Sequence, residues 1–299
     1  MPADPADPIT LNPQTLSRLQ QWVGRTETLH DVIVAAPLHG LSATLDREDE
    51  LATEGSPVPA LGHWLYFLPR HLQRETGDDG HCKRGGFLPP VPLPRRMWAG
   101  GKFEWQESNP LRVGDSVQRV SRIESVKHKT GNSGDLVFVQ VRHEFFNGNG
   151  LAMTEIHDIV YRAAARAGEL APSPIAAETG AAWQREIYAD PVLLFRYSAL
   201  TFNGHRIHYD RSYCNHVEGY PGLVVHAPLI ATLLLDLVRR NAPGAFIRRF
   251  EFKAVRPTFD LHALRVNGQP EGDGKTVRLW SQDHEGWLTM QGKAELSQP

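Results

Sequence analysis

Several stretches of the chain alternate apolar and polar residues, which is typical of antiparallel strands with one buried face. The predicted strands are 102–108, 116–129, 135–147, 151–162, 248–255, 261–269, 275–282 and 287–296. FFNGNG (145–150) is predicted as a hairpin turn between two of them, because Asn-Gly tolerates positive φ.

One long apolar stretch is predicted as a helix instead. HAPLIATLLLDLVRRNAPG (226–244) has Pro228 in its first turn, two arginines in its last turn and Pro-Gly after its end. Its leucines cover most of the helix circumference, so we expect this helix to be buried nearly all round.

Three short sequence similarities occur twice, in the same order along the chain. APLHGLSATLD (36–46) is similar to APLIATLLLD (227–236), FEWQESNP (103–110) to FEFKAVRP (250–257), and VRHEFFNGNG (141–150) to VRLWSQDHEG (277–286). Three matches in one order favour two tandem copies of one fold. The first two similarities lie much further apart in the first copy, which predicts an insertion at 47–101 in that copy.

The predicted organisation is an N-terminal copy at 9–162, a linker at 163–182 and a C-terminal copy at 183–299. Within the insertion, GGFLPPVPLPRRMWAGG (85–101) is too rich in Pro and Gly to predict a regular helix or a central strand. Its apolar residues favour packing over disorder. An apolar helix with an antiparallel sheet, present twice, resembles an α+β double hot-dog fold.

The composition excludes several classes of protein. The chain has 299 residues and a formal charge of −2, so no strong field for nucleic acid or an anionic membrane is expected. Cys82 and Cys214 are far apart, which argues against a disulfide scaffold or a zinc–thiolate site. No apolar run is long enough to span a bilayer, and MPADPADPIT (1–10) lacks the features of a signal peptide. We therefore expect a cytoplasmic protein.

The candidate chemistry is concentrated in TFNGHRIHYD (201–210). The longer stretch YSALTFNGHRIHYDRSYCNHVEGYPGLVVHAPLI (197–230) resembles the MaoC-like enoyl-CoA hydratases and dehydratases, also called hydratase 2. That family has an Asp-x-Asn-Pro-aliphatic-His motif, followed further along by His-Gly at the start of the hot-dog helix. The resemblance places the motif histidine at His208, the acidic position at Asn203, and the His-Gly pair at His226 and Ala227.

This chain differs from the motif in two ways. Asn203 replaces the carboxylate, and His205-Arg206 replaces Asn-Pro. Together with RGGFLPPVPLPRRMWAGG (84–101), the motif is similar to type 2 hydroxyacyl-thioester dehydratases and to bacterial mesaconyl-CoA and itaconyl-CoA hydratases. The N-terminal copy has no equivalent motif and is expected to be degenerate.

The resemblance implies a hydro-lyase that adds or removes water at the Cα=Cβ bond of an acyl-CoA thioester. His208 would act as the base, since imidazole titrates near neutral pH, and Asn203 would hold the water. The backbone N–H of Ala227 would hold the enolate oxygen, because the first amides of a helix are unpaired. Asp210 would orient His208. His226 is a candidate substrate contact, with a structural role as the alternative.

Other candidate binding residues are arginines and an aromatic residue. Arg95, Arg96 and Arg256 could bind a CoA phosphate or a substrate carboxylate, and Trp98 could line an acyl pocket. The expected substrate is a small branched or dicarboxylic enoyl-CoA of the itaconyl-CoA or mesaconyl-C4-CoA type. A 3-hydroxyacyl-thioester dehydratase of fatty-acid metabolism, acting on CoA or acyl-carrier protein, is the alternative.

Two further classes stay open at this point. One is a metal-dependent hydrolase using His205, His208, Asp210 and His216, although no metal-site spacing such as HExxH supports it. The other is a non-catalytic thioester-binding module. We expect no metal and no cofactor. A homodimer is compatible with the sequence, but tandem copies can themselves supply the paired unit.

Overall fold

The computed structural model describes residues 11–131, 134–163 and 173–297. The helices are α1 Pro13–Gln20, α2 Ala35–Thr44, α3 Pro191–Leu200, α4 Arg211–Tyr213 and α5 Ala227–Asn241. The strands are β1 Thr26–Val32, β2 Arg95–Trp105, β3 Ser116–Gly131, β4 Gly134–Asn147, β5 Gly150–Arg162, β6 Trp183–Ile187, β7 Ile247–Ala254, β8 Leu264–Pro270, β9 Thr276–Gln282 and β10 Leu288–Leu296. None of the described helices combines the length and apolar character needed to cross a bilayer.

The ten described strands form one antiparallel sheet in the order β1-β3-β4-β5-β2-β7-β10-β9-β8-β6. The first five strands of the chain make one half of the sheet and the last five make the other half. The halves meet where β2 pairs with β7, and Phe103 there lies opposite Phe250. The two residues that open the second sequence similarity are thus direct cross-strand partners at the centre of the molecule.

The duplicated sequences lie on equivalent elements of the two halves. The first similarity falls on α2 and α5, the second on β2 and β7, and the third on β4 and β9. The residue alignment of the third similarity was wrong by two positions. In the C-terminal half, Val277 pairs with Ala294, and Ala294 pairs with Phe250. In the N-terminal half, His143 pairs with Glu155, and Glu155 pairs with Phe103, the counterpart of Phe250. The counterpart of Val277 is therefore His143 rather than Val141.

The prediction that 85–101 contains no central strand was also wrong. Arg95 begins β2, which pairs with β5 on one side and β7 on the other. The prolines end at Pro94, and the glycines that follow allow a close approach of two backbones. A Cβ added at Gly100 would lie 2.5 Å from the carbonyl oxygen of Phe252. The predicted insertion 47–101 therefore overlaps the central strand of the sheet.

Helix α5 is buried as predicted. Residues 229–238 are all buried, including the carboxylate of Asp236. Asp236 accepts hydrogen bonds from Arg47, Arg185 and Arg240 at 2.7–2.8 Å. Because a buried carboxylate without partners is costly, these arginines are what makes its position tolerable. Arg47 belongs to the first copy, so this cluster ties the two copies together.

The part of the insertion before β2 packs against the sheet. Val91 and Leu93 are fully buried in a cluster with α1 residues and with β3, β4 and β5. This agrees with the expectation of packing over disorder. Residues 1–10, part of the predicted linker (164–172) and the last two residues lie outside the described residues.

Candidate active site

His208 is the last residue of a short 3₁₀ turn, Arg206–His208, and it lies close to the N-terminus of α5. Its side chain is buried, with the residue 7% exposed. Nδ1 lies 2.7 Å from the carbonyl oxygen of Val224, and because a carbonyl can only accept, Nδ1 must carry the proton. In the neutral ring the lone pair is then on Nε2, which is the arrangement needed for a general base.

His208 stacks on the residue that caps helix α5. The ring centroids of His208 and His226 are 3.6 Å apart at an interplanar angle of 18°. His226 is fully buried and is the N-cap of α5. Its Nε2 lies 2.8 Å from Ser198 Oγ on α3, while its Nδ1 has no hydrogen-bond partner among the described residues. This stack places the candidate base against the leading end of the central helix.

Helix α5 begins at Ala227, as the sequence predicted. The first amides of a helix have no partner within the helix and carry partial positive charge. Pro228 follows and has no N–H, so the amide of Ala227 stands next to a position without a donor. A carbonyl oxygen placed between His208 and this helix end would meet a backbone donor.

Burial controls the protonation of this histidine group. Burial lowers the pKa of His208 to about 4, against a smaller raising effect of the Val224 hydrogen bond. Burial likewise lowers the pKa of His205 to about 2. The pKa of His226 lies well below its usual value, chiefly through burial and then through the neighbouring His208. At neutral pH these imidazoles are therefore uncharged and His208 can accept a proton.

Asn203 and Asp210 lie in the same loop, and the hydrogen bonds described for their side chains go to residues other than His208. Asn203 Oδ1 accepts from the backbone amide of His205 at 3.0 Å, which fixes the turn. Asp210 accepts from Arg206 at 2.8 Å and from the amide of Tyr213, as the N-cap of α4. We expected Asp210 to orient His208, but the hydrogen bond that orients the His208 ring goes to the carbonyl oxygen of Val224.

The structure adds two residues that the sequence did not point to. His205 lies 5.3 Å from His208 and 4.0 Å from His81 between ring centroids, and His81 Nδ1 lies 3.1 Å from Asp79 Oδ2. Asp79 and His81 come from the insertion of the N-terminal copy. The stretch GDDGH (77–81) is a turn signal in the sequence, but nothing in it indicates which surface the turn contacts.

Within the described part of the chain, one group of three side chains offers metal-ligand atoms within 4.8 Å of one another, namely Asp79, His81 and His205. Both carboxylate oxygens of Asp79 already accept hydrogen bonds from His81, from its backbone amide and from Nδ1. The contacts are thus those of a carboxylate–imidazole pair. The four residues considered for a metal hydrolase do not form such a group in the described structure.

The candidate binding residues divide into two sets. Arg95 pairs with Glu218 at 3.3 Å, and Arg256 pairs with Asp283 at 3.3 Å. The ring of Trp98 packs against that of His157, with centroids 3.9 Å apart at an interplanar angle of 34°, and its Nε1 donates to the carbonyl oxygen of Gly100. These residues therefore already have partners in the chain.

Arg96 differs from them, because its hydrogen-bond partner is Tyr161 and no ion pair with a carboxylate of the described residues is found for it. Burial is the largest cause of the lowered pKa of His81, His157 and His205, and the positive charge of Arg96 is a smaller cause. Arg96 is thus within electrostatic range of these histidines.

Two surface cavities, of about 380 and 930 Å³, lie elsewhere, along strand edges and across the sheet. Neither is lined by His208, His226 or Ala227. The site is therefore defined by its side chains and by the start of α5.

Similarity to solved structures identifies the class of fold. A MaoC-like dehydratase from Phytophthora capsici superposes with a TM-score of 0.68 at 15% identity, covering 95% of this chain and 99% of that one. A Mycobacterium tuberculosis protein described as having a double hot-dog fold gives 0.52 at 13% identity, covering 92% and 96%. The predicted α+β double hot-dog fold is confirmed.

Sequence similarity identifies the family. The pattern of hydroxyacyl-thioester dehydratase type 2 matches residues 61–260. Mesaconyl-C(4)-CoA hydratase of Chloroflexus aurantiacus is 43% identical over 278 residues, covering 92% of this chain and 96% of that protein. The chain belongs to the hydroxyacyl-thioester dehydratase type 2 family of MaoC-like proteins. It is an enzyme of the hydratase and dehydratase class, a carbon–oxygen lyase, as predicted.

Proposed function

We propose that the protein adds water to the Cα=Cβ bond of a small branched or dicarboxylic enoyl-CoA, of the mesaconyl-C4-CoA or itaconyl-CoA type. The observation that carries this proposal is the buried His208, with its lone pair on Nε2, stacked against the start of α5. The mesaconyl-C(4)-CoA hydratase to which the chain is 43% identical supports the substrate class.

In the proposed reaction His208 takes a proton from water while the water oxygen bonds to Cβ. The π electrons of the double bond move toward the thioester, and the amide of Ala227 holds the enolate oxygen that results. Removing a donor of this kind typically raises the barrier by about 2.7–4 kcal/mol. The proton then adds to Cα, and no other reactant is consumed. Asn203 cannot exchange a proton at neutral pH, so it can position water but cannot share the acid–base work.

We propose that Arg96 binds the free carboxylate of the substrate. A guanidinium binds a carboxylate bidentately, and the hydrogen bond found for this one goes to the Tyr161 hydroxyl rather than to a carboxylate. Its positive charge is among the causes that lower the pKa of His81 and His205, so it is within electrostatic range of the site. A substrate without a second carboxylate would leave this positive charge uncompensated.

The second candidate is a 3-hydroxyacyl-thioester dehydratase of the fatty-acid type. The match to the type 2 dehydratase family favours it. The same base and helix end would serve, because dehydration is the reverse of hydration. The difference lies in the acyl group, which would be an unbranched chain without a carboxylate.

The two candidates are separated by comparing hydration of mesaconyl-C4-CoA and itaconyl-CoA with hydration of crotonyl-CoA. We expect kcat/KM for at least one dicarboxylic substrate to exceed that for crotonyl-CoA by about 100-fold, the discrimination expected of charged hydrogen bonds. Equal or faster turnover of crotonyl-CoA would rule out the dicarboxylic assignment.

The Arg96→Gln variant sharpens the same comparison. We expect it to lower kcat/KM for the dicarboxylic substrate by about 10–100-fold and to leave crotonyl-CoA unchanged. Arg256→Gln is the matched control, since Arg256 is already paired with Asp283. Equal losses on both kinds of substrate would mean that Arg96 does not bind the free carboxylate of the substrate.

We further propose that the enzyme works in the cytoplasm. Its two cysteines, Cys82 and Cys214, are both free, which suits a reducing compartment. Because both copies of the fold lie in one chain, we propose that one chain holds a complete site. Analytical ultracentrifugation tests whether two chains associate.

A further inference from the structure

A row of imidazoles runs from His208 to a carboxylate contributed by the other copy. His205 lies between His208 and His81, at 5.3 and 4.0 Å between ring centroids. At the outer end, Asp79 accepts from His81 twice, from Nδ1 at 3.1 Å and from the backbone amide at 2.9 Å. Asp79 thus holds the end of a row that begins beside helix α5.

Solvent exposure rises along this row. His226 is fully buried and His208 is 7% exposed, whereas the side chains of His81 and Asp79 are 23% and 33% exposed. A charge at the outer end is therefore partly solvated, and the same charge at His208 is not. An ionised carboxylate at the outer end therefore costs less to keep than one buried beside His208 would.

The reaction creates such a charge. When His208 takes a proton from water it becomes an imidazolium, and its contacts are the carbonyl of Val224 and the rings of His205 and His226. None of these carries a negative charge, and an uncompensated buried charge is strongly unfavourable. Asn203, at the acidic position of the family motif, is also neutral. The nearest carboxylate along the row is Asp79.

The loop that carries Asp79 is built against the loop that carries His205. The carbonyl of Asp79 accepts from the amide of Arg206 at 2.9 Å, and the carbonyl of Asp78 accepts from the Arg206 guanidinium at 3.0 Å. Gly80 has φ +89°, and a Cβ added there would lie 1.9 Å from the carbonyl oxygen of Gly204. Only glycine permits this approach, so the contact depends on the residue type present.

We propose that Asp79, held by His81 at the outer end of this row, is the counter-charge for the imidazolium that forms at His208. This inference rests on the proposed function. The proton leaves water for His208 Nε2 as the C–O bond forms at Cβ, and the carboxylate of Asp79 attracts the cation that results. His208 then gives the proton to Cα as the enolate electrons form the C–H bond.

The first experiment separates charge from shape at position 79. Asp79→Asn keeps the shape and removes the charge, whereas Asp79→Glu keeps the charge. We expect Asp79→Asn to lower kcat by at least about 20-fold with KM within about threefold of the parent, and Asp79→Glu to recover most of that loss. A smaller loss, or a glutamate variant no faster than the asparagine variant, would overturn the proposal.

Asp78→Asn is the matched control, because only the backbone carbonyl of Asp78 contacts Arg206. It should leave kcat within about twofold of the parent, as surface substitutions usually do. The reference variant is His208→Gln. If the parent hydrates an enoyl-CoA, His208→Gln does not, and Asp79→Asn remains fast, then the proposed function stands and this inference alone fails.

The second experiment keeps the proposal testable if a position-79 variant does not fold. His81→Ala should lose at least about 20-fold in kcat, and added imidazole should restore much of it, because free imidazole can take the place of the ring that donates to Asp79. A structural role would not respond to imidazole in this way. A loss that imidazole leaves unchanged would therefore overturn the proposal as well.

Discussion

The two copies of the fold cover equivalent strands in different ways. In the C-terminal copy, α5 has 15 residues and lays an unbroken buried surface over apolar positions such as Val277 and Ala294. In the N-terminal copy, α2 has 10 residues, of which three are buried. The positions equivalent to Ala294 and Val277 there are Glu155 and His143, both facing the interior.

The short helix of the N-terminal copy is supplemented by the insertion. A 3₁₀ turn, Gly62–Leu65, supplies His63 and Trp64, which donate to the buried carboxylate of Glu155 at 2.9 and 3.3 Å. One copy therefore has an apolar core behind a helix end that can hold an oxyanion. The other copy has a buried polar cluster around Glu155 within its apolar core, and a long segment that reaches the site of its neighbour. The difference indicates that the copies are specialised rather than redundant.

The largest expected effect comes from removing the base of the C-terminal copy. His208→Gln should lower kcat by about 10²–10⁴-fold with little change in thermal unfolding, since it removes proton transfer and keeps an amide near Val224. His143→Gln is the control in the N-terminal copy, a half-buried imidazole bonded to Ser121. Steady-state hydration of the substrate measures both, and equal losses in the two variants would contradict the assignment of chemistry to one copy.

The charged clusters of the two copies should differ in their effect on stability. Asp236→Ala leaves three arginines without their shared carboxylate and should lower the free energy of unfolding by about 3–5 kcal/mol. Glu155→Gln keeps an acceptor for His63 and should cost about 1–3 kcal/mol. Urea unfolding of both variants checks this order. A larger cost for Glu155→Gln would make the buried polar cluster of the N-terminal copy the more important of the two.

The contact between the insertion and the loop that carries His205 and His208 is tested at Gly80. Gly80→Ala adds a Cβ against the carbonyl of Gly204 and should lower kcat by about 10–100-fold by displacing the loops. Gly55→Ala is the matched control, because Gly55 also has a positive φ of +80° but no atom near the added Cβ. Kinetics of the two variants separate backbone strain from displacement. If both retain full activity, the contact between the copies does not affect catalysis.

The smallest effect concerns acid stability of the N-terminal copy. Burial lowers the pKa of His143 to about 4, so folding favours its neutral form. That contribution is fully present above pH 6.5, the ordinary value, and is lost as the pH falls toward 4, by up to about 1.4 kcal/mol per pH unit. His143→Gln should therefore show a smaller drop in unfolding free energy between pH 7 and pH 5 than the parent. An unchanged drop would show that His143 is not held neutral by the fold.

The sequence predicted the parts of the molecule whose signals are local. Helix α5, its start at Ala227, the hairpin at 145–150 and the place of His208 before the helix all follow from caps, turn residues and a motif within one stretch. The short strands β1 and β6 were missed, because neither has a pattern of sufficient length. Asp79 and His81 were missed because their role comes from the packing of one loop on another, which no periodicity records.

The most direct test is a crystal structure of His208→Gln with an enoyl-CoA substrate bound. We expect the thioester oxygen at about 3 Å from the backbone nitrogen of Ala227, the distance of an oxyanion-hole donor, with Cβ facing the side chain at position 208. The carboxylate of the substrate should lie against Arg96. A thioester bound away from the start of α5, with its oxygen on other donors, would show that His208 and Ala227 do not form the active site.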